Sequence, residues 1–153
     1  MRLTKMSRFG TRAIFDLAYH SAGFPIHEKD IATRQDIPLK FLEQIFHKLK
    51  NNNIVRSVKG PNGGYMLARN PEQITVRDII KAVKEPVDIV HCVDDHTNCS
   101  RSTQCVTRLV WKEASNLINN FFDTVSINDL CERGKEIGIK RNIKIQHSFN
   151  YSI

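Results

Sequence analysis

Apolar positions recur every three or four residues over 7–22, where Ala13, Ile14, Leu17, Ala18 and Ser21 share one stripe, and this spacing predicts an amphipathic helix. Gly23-Phe24-Pro25 closes it. A short helix is predicted over 27–34, with Ile31 and Ala32 inward, followed by a turn at Asp36-Ile37-Pro38. Pro38 suits the first position of the next helix, 38–51. There Leu42, Ile45, Phe46 and Leu49 form a buried stripe, and Lys40, Glu43, Gln44, His47 and Lys48 occupy the opposite face. Asn51-Asn52-Asn53 ends it with residues that tolerate left-handed backbone. Residues 54–59, rich in β-branched side chains, and 65–68 read as two strands around the turn Gly60-Pro61-Asn62-Gly63-Gly64. Thr75 and Asp78 then cap a further helix with Val76, Ile79, Ile80 and Val83 on its inner face and Pro86 as its stop.

The pattern changes after residue 86. Residues 87–105 are acidic, carry cysteines and lack apolar periodicity, so they read as a loop. A long helix resumes over 105–125, roughly 30 Å at about 1.5 Å per residue. Val106, Leu109, Val110, Ala114, Leu117, Ile118, Phe121, Phe122 and Val125 line a wide stripe on it. A stripe so far from the N-terminal core needs a cover, and a second copy of the same helix is the economical one, making Leu109, Val110, Leu117 and Phe121 dimerisation residues. Ser126 and Asp129 start one more short helix, and residues 138–153 carry no strong signal and are expected to form a mobile tail. The expected fold is mainly α with a small β-hairpin wing. Its parts are a winged helix-turn-helix (1–84), a cysteine-rich loop (85–104), a dimerisation helix with the short helix after it (105–137) and a tail (138–153).

Charge sharpens this picture. The 153-residue chain carries a net charge of +7, and residues 1–64 hold eleven Lys/Arg against five Asp/Glu. A cationic end suits a polyanion, because neutralised phosphates release condensed counterions. No apolar run reaches the length of a membrane span, and the N-terminal residues lack the pattern of a signal peptide, so a cytoplasmic protein is expected. In a reducing compartment its four cysteines favour metal or redox chemistry over structural disulfides.

The helix over 38–51 is the candidate reader of double-stranded DNA, since the second helix of a helix-turn-helix presents its N-terminal residues to base edges. Gln44 can pair with adenine, Lys40 can reach guanine, and Glu43 can accept from cytosine. Arg56, Lys59, Gly60, Pro61, Asn62 and Gly63 form the candidate wing contact, and Lys48 adds a cation to the helix. Cys92, Cys99 and Cys105, spaced by seven and six positions, are the candidate metal ligands. Thiolates hold iron–sulfur clusters, whereas structural zinc sites more often show Cys-x-x-Cys pairs, which are absent; zinc and a thiol switch stay open. Cys131 lies far from these three and reads as a small, partly buried residue. A winged helix used for protein contacts alone would lack the cations Lys40, Lys48, Arg56 and Lys59, and no nucleophilic set, carboxylate pair or nucleotide motif suggests an enzyme.

These residues carry a resemblance. Met1-Arg2-Leu3-Thr4, residues 41–46, Ser57 to Tyr65 through the glycine turn, the three cysteines and Leu109-Val110-Trp111 are similar to the IscR-like iron–sulfur-sensing winged-helix regulators, a family that also includes NsrR and CymR, over residues 1–136. The resemblance implies a homodimer crossed through the long helices and promoter DNA as partner. Glu43 and Gln44 would then lie in the major groove and Lys59 at the minor groove. It also implies an iron–sulfur cluster, 2Fe–2S ahead of 4Fe–4S, on Cys92, Cys99 and Cys105. The chain departs from the family where IscR proteins place a histidine ligand, because that position is Arg108, which cannot ligate iron. Arg8 stands where the NsrR-like pattern has an acidic ligand, and the spacing of the first two cysteines is one residue longer than in IscR. The fourth ligand is open among His91, Asp94, Asp95, His96 or a small molecule, with His96, inside the loop, taken first.

Overall fold

The computed structural model describes residues 3–85, 87–95 and 99–142. Its element order is α1 (Lys5–His20), α2 (Glu28–Gln35), α3 (Leu39–Asn51), β1 (Val55–Val58), β2 (Gly64–Leu67), α4 (Val76–Ala82), α5 (His91–Asp94), α6 (Val106–Thr124) and α7 (Ile127–Glu136). Mainly helical with one antiparallel hairpin, this is the fold class the periodicity predicts.

Two features hold α1 at its ends. The Thr4 side chain accepts from the Ser7 amide, and the Glu85 carboxylate accepts from the Thr4 amide at 2.6 Å, the Thr4 hydroxyl at 2.7 Å and the Ser7 hydroxyl. These bonds satisfy donors that a helix start otherwise leaves free. Near the other end, Asp16 is fully buried and accepts from Arg34 at 2.6–3.1 Å and from Gln35 Nε2 at 2.9 Å. A buried carboxylate needs such partners, and here they fasten α2 to α1.

The turn between α2 and α3 follows from Asp36, whose φ of 50° is left-handed, and from the Ile37 amide donating to Ala32 O at 3.0 Å. On α3, Leu42, Ile45, Phe46 and Leu49 are all fully buried against Ile14, Leu17, Ile31, Ile54 and Ile79. In the hairpin Val55 faces Leu67, Arg56 faces Met66, Ser57 faces Tyr65 and Val58 faces Gly64. Ile26 exchanges two backbone hydrogen bonds with Tyr65, 3.0 and 2.8 Å, adding a single-residue rung that alternation in the sequence does not announce. Gly64 permits that approach: its φ is +143°, and a Cβ there would run into the Ile26 carbonyl.

Both predicted capping boxes form, Thr75 with Asp78 and Ser126 with Asp129. Between them Val76 N donates to Val125 O at 2.9 Å and Ile127 N to Ile74 O at 2.8 Å, so the end of α6 is stitched to the start of α4. α7 then returns onto α1, where Ile127 and the predicted buried Cys131 join the core.

The structure corrects several boundaries. α1 ends at His20, so Ser21 is its C-cap rather than part of its stripe. α4 ends at Ala82 with Lys84 left-handed at φ 59°, while Pro86 lies outside the described residues. The 87–105 segment is not wholly loop, since α5 forms within it. Part of the tail is anchored: Tyr19 Oη donates to Ile139 O at 2.8 Å, Arg141 Nε to Tyr19 O at 2.7 Å, and the Asn142 amide to His20 Nδ1 at 2.8 Å. One of these bonds meets a backbone carbonyl at the end of α1 and two use the side chains of Tyr19 and His20, partners the tail's own composition could not reveal.

Candidate nucleic-acid interface and cysteine loop

The α3 stripe fixes which side chains face outward. Lys40, Glu43, Gln44 and His47 are exposed and line a shallow groove with Met6 and Lys48. Lys48 departs from expectation: it is half-buried, and its Nζ donates to Val83 O at 3.3 Å, capping the end of α4. A cation at a helix C-terminus is favourable there and less available to a phosphate. Lys50, not singled out from the sequence, donates to Ser57 Oγ at 2.9 Å and links the end of α3 to the wing. No periodicity flags it, because the link depends on where the hairpin folds back.

At the wing, Lys59, Gly60, Pro61 and Asn62 are exposed, as is Arg56, whose Nη2 lies 3.3 Å from Met66 Sδ. Gly63 is buried inside the turn, its amide donating to Gly60 O at 2.9 Å, and a Cβ there would strike the Val58 carbonyl. Its smallness serves the hairpin's closure, so the tip's outer surface is made by Lys59 to Asn62.

A second acidic contact lies between α2 and α3. Glu28, the first residue of α2, is half-buried, with the Tyr65 hydroxyl and Glu43 near enough to act on its charge. Burial raises the Glu28 carboxyl above its ordinary value, the Tyr65 hydroxyl opposes that rise, and the Glu43 charge adds to it.

The cysteine segment runs along α6. The Ile89 amide donates to the buried Ser115 hydroxyl at 3.1 Å, and Arg108 Nε donates to Cys92 O at 2.8 Å. These two bonds carry the chain toward the start of α6, where Cys105 is the N-cap. Cys92, Cys99 and Cys105 are half-buried free thiols. The Cys105 thiol is pulled down, chiefly by the Thr107 hydroxyl 3.2 Å away and then by the first-turn amide of Arg108. Burial pushes the Cys131 thiol up instead.

Among the described residues, no group of three His, Cys, Asp or Glu side chains is gathered tightly enough to hold a metal. The donor chemistry fits an iron–sulfur cluster through three thiols, one of them readily ionised. It does not supply a fourth ligand at Arg108: that side chain is buried, cationic and bonded to the Cys92 carbonyl. His96 lies outside the described residues.

α6 leaves part of its apolar stripe uncovered, while Val125 is buried and Ala114, Ile118 and Phe122 are half-buried. Val106 is 77% exposed, Leu117 70%, and Leu109 and Phe121 58% each, with Val110 and Trp111 also exposed. Side chains this large and this exposed on one helix mark an interaction surface. A second apolar surface, the groove between α1, α4 and α7, includes Phe15, Val76, Ile80, Leu130 and Ile137 and is rimmed by Arg8, Arg12 and Arg133. No described helix is long and apolar enough to cross a membrane.

Comparison with known proteins agrees with this architecture. The Rrf2 family, described as an iron-dependent transcriptional regulator, matches residues 3–133. The HTH-type transcriptional regulator IscR of Photorhabdus laumondii is 38% identical over 139 residues, 91% of this chain and 84% of that protein. The solved structure of T. potens IscR superposes with a TM-score of 0.75 at 29% identity, covering 93% of this chain and 94% of that one. CymR, the global cysteine regulator of B. subtilis, gives 0.73 at 26% identity, covering 87% and 98%. The chain belongs to the Rrf2 family, a family of transcriptional regulators and not of enzymes.

Proposed function

We propose that the chain acts as a homodimer on double-stranded promoter DNA, and that an iron–sulfur cluster on the loop over 92–105 governs its affinity. The observation that carries the reading is the placement of two features on one frame. The exposed α3 face with Glu43 and Gln44 belongs to a helix joined to the wing through Lys50 and Ser57, and three half-buried free thiols lie in the segment that leads into an α6 with exposed apolar side chains. On this reading Lys40, Glu43 and Gln44 meet base edges, Arg56 and Lys59 to Asn62 follow the backbone or minor groove, and Gly63 holds the wing's shape.

Cys92, Cys99 and Cys105 would hold the cluster, which when bound supplies a redox-sensitive crosslink between the loop and α6. The rest is done by the chain itself. Arg108 ties the Cys92 backbone to α6, and Glu85, at the entrance to the segment, ties it to the start of α1. α1 packs on α3, so ordering the loop has a path of contacts to the reading helix. A ligand shifts binding only by favouring one arrangement of the two readers, and these ties give the loop a means to do so. The exposed α6 stripe and the α1–α4–α7 groove are the surfaces a second copy would cover.

A thiol-responsive regulator without a cluster is the second reading, favoured by Arg108, which closes the loop on α6 with no metal. Anaerobic purification with visible spectroscopy and iron and sulfide analysis separates the two. A coloured protein with iron and sulfide supports the cluster, whereas a colourless, iron-free protein whose DNA affinity follows thiol oxidation supports the second reading. For the DNA-binding part, affinity for a palindromic promoter duplex should fall steeply with salt. Equal loss on specific and random duplexes for Gln44→Ala would count against base readout by that residue.

A further inference from the structure

We propose that residues 139–142 form an acid-released latch on the end of α1: its Asn142 end stays closed while His20 is neutral and lifts when His20 takes a proton. The latch lies beyond residue 133, where the Rrf2 match ends, so it is a feature of this chain apart from the family match. Three bonds close it. Tyr19 Oη donates to Ile139 O, Arg141 Nε to Tyr19 O, and the Asn142 amide to His20 Nδ1 at 2.8 Å. The Arg141 guanidinium also lies over the Tyr19 ring, 5.5 Å from its centroid.

Of the three bonds, the one from Asn142 fixes a protonation state. A backbone amide can only donate, so Nδ1 has to be a bare acceptor. The proton of the neutral ring is then on Nε2, which lies 3.8 Å from Asp16 Oδ2. An imidazolium carries hydrogens on both nitrogens, so two N–H groups would face each other and the bond is lost. The charged and titratable groups around His20 are Asp16 on α1, Arg34 on α2 and Arg141 in the latch, with Tyr19 edge-on and His27 and Asp30 lining the same cavity. Burial opposes the His20 charge most strongly. Asp16 favours it but is already held by Arg34 and Gln35, and Arg34 and Arg141 oppose it further, so His20 is held below its ordinary value. The closed latch therefore excludes a proton that the open one accepts. Closure is fully present above the ordinary histidine range and is lost as pH falls below it. Asn142 shares its cavity with His20, Phe24, Ile26 and Asn62 of the wing turn, so the latch opens beside the wing.

The test is nuclear magnetic resonance on the full nitrogen-15-labelled chain from pH 8 to pH 5, following the Asn142 amide and the His20 ring nitrogens together. At pH 8 we expect His20 to be neutral with its proton on Nε2, and the Asn142 amide to exchange at least about tenfold more slowly than in an unstructured peptide. That protection should fall by up to about tenfold per pH unit as the ring charges, the limit for one linked proton. His20→Gln keeps an acceptor for the amide and cannot titrate, so its protection should stay level with pH. Tyr19→Phe removes the bond to Ile139 and leaves His20 in place, so it should lower protection at every pH and keep the slope. An Asn142 amide unprotected at pH 8, a His20 ring protonated on Nδ1 throughout, or protection that persists once the ring is charged would overturn the proposal. So would the wild-type acid response in His20→Gln.

Discussion

The α1–α4 body with its wing and the α5–α6 arm are built from sequence with similar proportions of apolar residues but bury them differently. In the body every large residue of the α3 stripe is fully buried, and the fully buried carboxylate of Asp16 has three side chains around it. In the arm Leu109, Leu117 and Phe121 of α6 stay exposed, and the buried polar residues Arg108 and Ser115 bond to the backbone of the thiol segment. The α3 core closes within one chain, whereas the exposed apolar side chains of α6 are open to a partner, as the proposed dimer requires.

The contrast can be broken most forcefully at matched positions. Phe46→Ala removes a fully buried ring and should cost about 3–5 kcal/mol of stability by chemical denaturation, enough to unfold a marginal domain. Leu117→Ala, on a side chain 70% exposed in the single chain, should change the stability of a diluted sample by well under 1 kcal/mol. If Leu117→Ala costs as much as a core deletion at low protein concentration, α6 is packed within its own chain and the comparison fails.

Asp16 and Asp123 make the same comparison with charge. Asp16→Asn leaves Arg34 half-buried without its anion and should cost about 3 kcal/mol, read as a lowered thermal midpoint. Asp123, half-exposed and paired to Arg77 at 3.3 Å, should lose less than about 1 kcal/mol as Asn. A cluster of near-equal losses would mean that the arm is more closely packed than its exposure indicates.

The arm has its own decisive variant. Leu117→Asp combined with Phe121→Asp should convert a dimer to a folded monomer in sedimentation experiments. If two linked readers supply avidity, affinity for a palindromic duplex should then fall on the order of a hundredfold. A dimer that persists would move the interface off the α6 stripe.

The body was legible in the sequence because its determinants are local. Leu42 to Leu49 repeat at helical spacing, Thr75 and Asp78 spell a cap, and Gly60 to Gly64 can only turn. What was missed depends on partners distant in the chain. Ile26 becomes a rung only when Tyr65 folds back to it, Lys48 turns inward because Val83 O waits there, and Ile139 to Asn142 lie down because Tyr19 and His20 receive them. In the cysteine segment the spacing located the thiols, but periodicity could not foresee α5 or the Arg108 bond, since both depend on α6 lying alongside.

The smallest effect is the finest discriminator, because Lys48 and Lys59 look alike in the sequence and differ in the structure. Lys59 is exposed at the wing tip and makes no hydrogen bond among the described residues, whereas the Lys48 ammonium donates to the end of α4. If the wing follows phosphates, Lys59→Ala should weaken binding to specific and random duplexes alike and lower the slope of log affinity against log salt by about 1. Lys48→Ala should leave that slope nearly unchanged and cost a few tenths of a kcal/mol in stability, through the lost helix-end contact. Equal slope changes at both positions would show that Lys48 leaves α4 to reach the duplex, and that the reading face extends further along α3 than its resting contacts indicate.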